Sequence, residues 1–84
     1  MILERGRVVL SKAGRDQGRF LAVLSTEGQT VLLADGKERP LERPKRKNSR
    51  HVQATNTLLA DSSLSTNREI RKALRLAADK EFSQ

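Results

Sequence analysis

Between positions 7 and 34 the apolar residues cluster in three short runs: "RVVL" (7–10), "RFLAVLS" (19–25) and "TVLLA" (30–34). Each is rich in β-branched or aliphatic residues and has strand length. The second run places Phe20, Ala22 and Leu24 on one face and Leu21 and Val23 on the other. Alternate residues of a strand point to opposite sides, so both faces of this strand are apolar. It is therefore covered on both sides or belongs to a strongly curved sheet. "TEGQ" (26–29) and "DGK" (35–37) read as turns, because glycine accepts positive φ and aspartate stabilises local turns. Short strands joined by short turns predict a small antiparallel barrel.

The pattern then changes. Pro40 and Pro44 bracket "LER", and a proline cannot donate to a ladder, so any strand here is an edge strand. "RPKRKNSR" (43–50) carries five basic residues and no acidic one, the composition of a disordered interaction segment. "HVQAT" (51–55) reads as a last short strand, and "NTLLADSSLS" (56–65) as loop. "TNRE" (66–69) matches a capping box, with Thr66 as N-cap and Glu69 reaching back. Ile70, Ala73, Leu74 and Ala77 follow at helical spacing, which predicts a helix from 67 to about 80. Arg68, Arg71, Lys72 and Arg75 fall mostly on its other faces, as a solvated surface or a basic flank for RNA. The expected organisation is a barrel over 1–55, a linker over 56–65 and a C-terminal helical segment over 66–82. The fold class is mainly β, a small antiparallel barrel with a C-terminal amphipathic helix.

Composition narrows the function. An 84-residue chain is one small domain, and it buries only about 60% of its unfolded surface. The absence of cysteine excludes disulfides and thiolate metal sites. One histidine without a carboxylate cluster gives no zinc site. No apolar stretch is long enough to span a bilayer, and "MILERGRVVL" lacks the layout of a signal peptide. A soluble cytoplasmic protein is expected. The net charge of +7 rests on 17 Lys and Arg against 10 Asp and Glu, and 11 of the 17 are arginine. The arginine fork suits phosphate, and so basic a small domain points to a polyanion. The only aromatics are Phe20 and Phe82. Base-stacking platforms, proline-peptide grooves and methyl-lysine cages all need more. Recognition by charge, backbone and shape is left.

The candidate chemistry lies in two basic stretches. "SKAGRDQGRF" (11–20) joins two predicted strands by a loop longer than a tight hairpin. Gly14 and Gly18 allow sharp bends and close approach of another backbone. Lys12, Arg15 and Arg19 are its cations, and Asp16 orders it by pairing with an arginine or capping the turn. Spacing and charge alone leave both a plain hairpin loop and a ligand loop open. The second stretch supplies Arg43, Lys45, Arg46, Lys47 and Arg50 for phosphate contact, with His51 beside it. Asp16, Glu38 and Glu42 are too scattered for a metal-dependent phosphotransfer site. There is no Ser-His-Asp arrangement, and "GRDQG" lacks the helix that follows a nucleotide-binding loop. The chain reads as non-enzymatic, without cofactor, metal or small-molecule substrate.

The run "GRVVLSKAGRDQGRFLAVL" (6–24) resembles a KOW motif: a strand, a glycine-bearing basic loop and a second strand. Gly18 occupies the place of the motif's most characteristic glycine, and Gly6, Val8, Gly14 and Val23 match further positions. "LLADGKERPLERPKRKNSRHVQAT" (32–55) resembles the continuation in small bacterial KOW-domain RNA-binding proteins, which are similar to large-subunit ribosomal proteins. The resemblance implies an SH3-like five-stranded barrel that binds structured, often ribosomal, RNA without catalysis. It implies that Gly18 is a bend that lets the loop lie close to RNA. The expected partner is thus RNA, held by Lys12, Arg15, Gly18, Arg19, Arg43, Lys45, Arg46, Lys47, Arg50 and His51. The rival expectation is a protein-interaction KOW module of the transcription or translation machinery, with the helical stripe Ile70, Leu74 and Ala77 open either to a partner or to its own barrel.

Overall fold

The computed structural model describes residues 3–82, with the Phe82 side chain left aside. Five antiparallel strands form one sheet: β1 (Arg7–Ser11), β2 (Phe20–Glu27), β3 (Thr30–Ala34), β4 (Lys45–Asn48) and β5 (Val52–Leu58). Their order is β4-β3-β2-β1-β5. The expected antiparallel fold is found, and the sheet does not close: no ladder joins its edge strands β4 and β5. A 3-10 turn, Ser49–His51, connects them instead. Its Ser49 N–H donates to the Gln29 carbonyl at 2.7 Å, and its His51 carbonyl accepts from the Lys12 N–H at 2.8 Å. The turn thereby spans from the β2–β3 hairpin to the end of β1.

The double-faced pattern of β2 explains the packing. Val9, Leu21, Val23, Val31, Leu33 and Val52 form one cluster inside the curl of the sheet. Val8, Ala22 and Ala34 belong to a second cluster on the opposite face, with Leu64, Ile70, Leu74 and Ala77. Phe20, Leu24, Leu41 and Leu59 flank that second cluster. The β2–β3 register shifts between Val23 and Ser25, and such a bulge bends and twists a strand. β2 can therefore serve two cores at once.

The lid on the second face is helix α1 (Asn67–Phe82). The Glu69 N–H donates to Thr66 Oγ1 at 3.1 Å, which is the Thr66 half of the expected capping box. Ile70, Leu74 and Ala77 are buried against the sheet. Of the two placements left open for this stripe, on a foreign partner or on its own sheet, the structure shows the second. Three further contacts fix the helix start. Asn67 accepts from the Leu41 N–H through Oδ1 at 2.8 Å and donates through Nδ2 to Glu42 Oε1 at 2.7 Å. Arg71 Nη1 donates to the Gly36 carbonyl at 2.6 Å. Gly36, with φ +79°, lies so close to the Asn67 carbonyl that a Cβ would collide with it.

Three other expectations change. The basic run over 43–50 is not a disordered segment. Its centre is edge strand β4, laddered to β3 from Leu33–Lys45 to Thr30–Asn48. β5 continues past Thr55 to Leu58. Within 56–65, read as loop, Asp61–Leu64 is a 3-10 turn that buries Leu64. No helix among the described residues is long and apolar enough to cross a membrane.

Candidate nucleic-acid interface

The loop after β1 is folded around a buried carboxylate. Gly18 N–H donates to the Ser11 carbonyl, Ser11 N–H to Arg19, and Arg19 N–H to Asp16, each at 2.9 Å. Asp16 is 2% exposed. Its Oδ1 and Oδ2 accept from Nε and Nη2 of Arg39, both at 3.3 Å. The expected pairing of Asp16 with an arginine is present, and the arginine comes from the β3–β4 connection rather than from the loop. With the acid turned inward, Lys12, Arg15, Gly18 and Arg19 are exposed. Gly18 has φ +85° and no atom within 4 Å of where a Cβ would stand. Its bend is set by backbone conformation, and its open side faces solvent.

The two basic stretches meet here. Lys47 Nζ donates to Ser11 Oγ at 3.0 Å and to the Ala13 carbonyl at 2.7 Å. An ammonium has three donors, so Lys47 spends most of its capacity holding the loop to the sheet. Lys45 and Lys47 pair with Leu33 and Val31, two residues of the inner cluster, whereas Arg46 and Asn48 pair with Leu32 and Thr30. Pairing and alternation put Arg46 on the other side of the strand. Asn48 Oδ1 accepts from the Arg50 N–H at 3.0 Å and shapes the 3-10 turn. That turn sets Arg50 beside Lys12, and both line one shallow pocket with Ser49 and Val52. His51 is exposed next to them, and Arg43 is exposed in the turn before β4.

The ten expected RNA-binding residues thus fall into distinct settings. Lys12, Arg50 and His51 are gathered by the Lys12–His51 backbone bond. Arg15 and Gly18 project from the loop. Arg19 is exposed but ion-paired with Glu38 at 2.6 Å. Arg43 and Arg46 lie before and on the outer side of the edge strand, and Lys45 and Lys47 share its inner side. Two residues escaped the sequence reading. Arg39 anchors the loop, and Lys37 stands in a groove with Gly18 and Arg19. The same groove collects Arg71 and Arg75, whose one-turn spacing was the visible signal.

The remaining acids make no metal centre: no group of three or more His, Asp or Glu among the described residues could hold an ion. What the arrangement offers chemically is a set of exposed cations gathered by the loop and the 3-10 turn at one end of the sheet. No protein-family model matches the chain, and a search of curated proteins finds no match.

Proposed function

We propose that the protein is a non-catalytic RNA-binding module that grips the phosphate backbone of structured RNA. The observation that carries this reading is the joining of the loop to the 3-10 turn. It presents Lys12, Arg15, Arg50 and His51 outward while Asp16, the loop's own acid, is buried against Arg39. Phosphate contacts position a protein without reading sequence, and a chain with two phenylalanines and no other aromatic residue is suited to backbone and shape. The resemblance of 6–55 to KOW-domain ribosomal proteins makes ribosomal RNA the first ligand to test and supports a role beside the translation machinery. The burial of Ile70, Leu74 and Ala77 counts against a partner docking on that stripe.

The test is affinity for folded ribosomal RNA fragments as a function of salt. Neutralising about four to six phosphates gives a log–log slope of roughly −3 to −5. Lys12→Glu with Arg15→Glu flattens that slope by about two, one for each lost phosphate contact. This pair is cleaner than one containing Arg19→Glu, which would set a second carboxylate against Glu38. A slope near zero for the wild type overturns the proposal.

A further inference from the structure

Between the start of β2 and helix α1 runs an open groove of about 400 Å³. Phe20 and Ala78 supply its accessible apolar lining, with the buried Leu74 beneath them, and Arg19, Lys37, Arg71 and Arg75 supply its cations. We propose that this groove takes an unpaired nucleotide of the bound RNA. Its phosphate lies among the four cations and its base packs on the apolar lining. The inference rests on the RNA-binding reading and adds a ligand class and a second contact surface to it.

Four observations converge on the groove. The cations come from three separate segments of the chain: the loop before β2, the turn after β3 and the helix. The one carboxylate lining it, Asp35, is already engaged, because its Oδ1 accepts from the Lys37 and Arg39 N–H groups at 2.9 and 2.8 Å. Glu38 holds Arg19 from outside the lining, and an incoming phosphate competes for that guanidinium. Second, Arg71 and Arg75 stand one turn apart on the same face, a spacing that is mildly unfavourable for like charges in a helix. An anion between them turns this repulsion into attraction. Third, Arg71 is preorganised. It gives Nη1 to the Gly36 carbonyl and keeps other N–H groups of its fork for a ligand. Fourth, Gly18 and Arg19 belong both to this groove and to the loop proposed above, so one RNA can cover both.

The apolar lining decides the form of the ligand. A paired backbone uses cations alone and has nothing to place on Phe20 or Ala78. A base released from its helix exposes an apolar face, and single-stranded or bulged positions are where proteins contact such faces.

The probe is a fluorescently labelled RNA hairpin with a fully paired stem, set against the same hairpin carrying one bulged nucleotide. The full chain is expected to bind the bulged form about five-fold or more tightly, the low end for packing one base on a protein surface. Lys37→Glu with Arg75→Glu is expected to erase that preference while melting like the wild type. If the double variant melts lower, Arg75→Gln alone carries the comparison. Failure of the wild type to bind either hairpin overturns the RNA-binding reading itself, and this inference with it. Equal binding of both, or a preference that survives in the variants, overturns the groove assignment and leaves that reading standing. Displacement of the bulged hairpin by an acidic, leucine-containing peptide at equal charge concentration, with the paired hairpin unaffected, reassigns the groove to a protein ligand and overturns the nucleotide.

Discussion

Asp16 and Arg39, 23 positions apart, form the ion pair that sets the shape of the candidate RNA loop. The carboxylate is almost fully buried and the guanidinium about a quarter exposed, with side-chain accessibilities of 3% and 28%. Arg39→Ala leaves a buried carboxylate without its cation, a change that costs about 3 kcal/mol. Asp16→Asn removes the charge and keeps part of the hydrogen bonding, so it costs less. Thermal unfolding checks both. Arg39→Ala lowers Tm by roughly 10–20 °C for a domain of this size, and a smaller loss than that of Asp16→Asn would remove the pair from the loop's support.

Lys47 and Arg46 are neighbours with opposite assignments. Lys47→Ala removes two hydrogen bonds between the edge strand and the loop, with an expected loss of about 1–2 kcal/mol. Arg46→Ala touches neither and stays within about 0.5 kcal/mol of the wild type. Denaturant midpoints separate the two. Equal midpoints would place the loop's anchorage elsewhere.

Gly18 and Gly36 share a positive φ and differ in surroundings. Alanine at 18 meets open space and pays only for its left-handed backbone, about 1 kcal/mol. Alanine at 36 adds a collision with the Asn67 carbonyl, where the helix begins. We expect Gly18→Ala to fold and melt slightly early, and Gly36→Ala to lose about 3 kcal/mol or more with a loosened helix start. Similar melting temperatures for the two variants would contradict the close approach.

A chain ending at Thr55 is expected not to fold. It lacks the last three residues of β5 and exposes the face formed by Val8, Ala22 and Ala34, which Ile70, Leu74 and Ala77 cover. Ile70→Ala in the full chain already costs about 2–5 kcal/mol. A cooperative melt of the truncated chain would show that the sheet stands alone and would return the helix to the surfaces available for a partner.

The three apolar strands and the helix were legible because burial writes itself into side-chain periodicity. Phe20, Ala22 and Leu24 against Leu21 and Val23 even announced that β2 has two covered faces. β4 left no such trace. Lys45, Arg46, Lys47 and Asn48 hold their place through backbone ladders to β3, and ladders do not depend on side-chain character. Leu64 was likewise lost among serines, since one buried residue in a 3-10 turn makes no period.

The candidate site divides in the same way. The loop's glycines and cations were visible as a local pattern. The partners of its supports were not: Asp16, expected to pair with an arginine, reaches the distant Arg39, Ser11 reaches Lys47, and Arg19 reaches Glu38, all across separations of 19 to 36 positions. Local spacing shows which charges are present. Only the fold shows which of them are already spent, as Lys47 is.

Strand β4 has one edge laddered to β3, and β5 has one edge laddered to β1. Bare sheet edges invite a second chain to add on, and lysine on an edge strand is a common defence against it. Lys45 and Arg46 bring such charge to β4, while Lys47 is engaged with the loop. Exchanging Lys45 and Arg46 for neutral apolar residues is therefore expected to make that edge prone to aggregate and, on the proposed reading, to weaken polyanion binding. Reversing the sign of Lys45 and Arg46 to glutamate separates the two effects, because it repels phosphate and still keeps neighbouring copies apart, with Lys47 left to hold the loop.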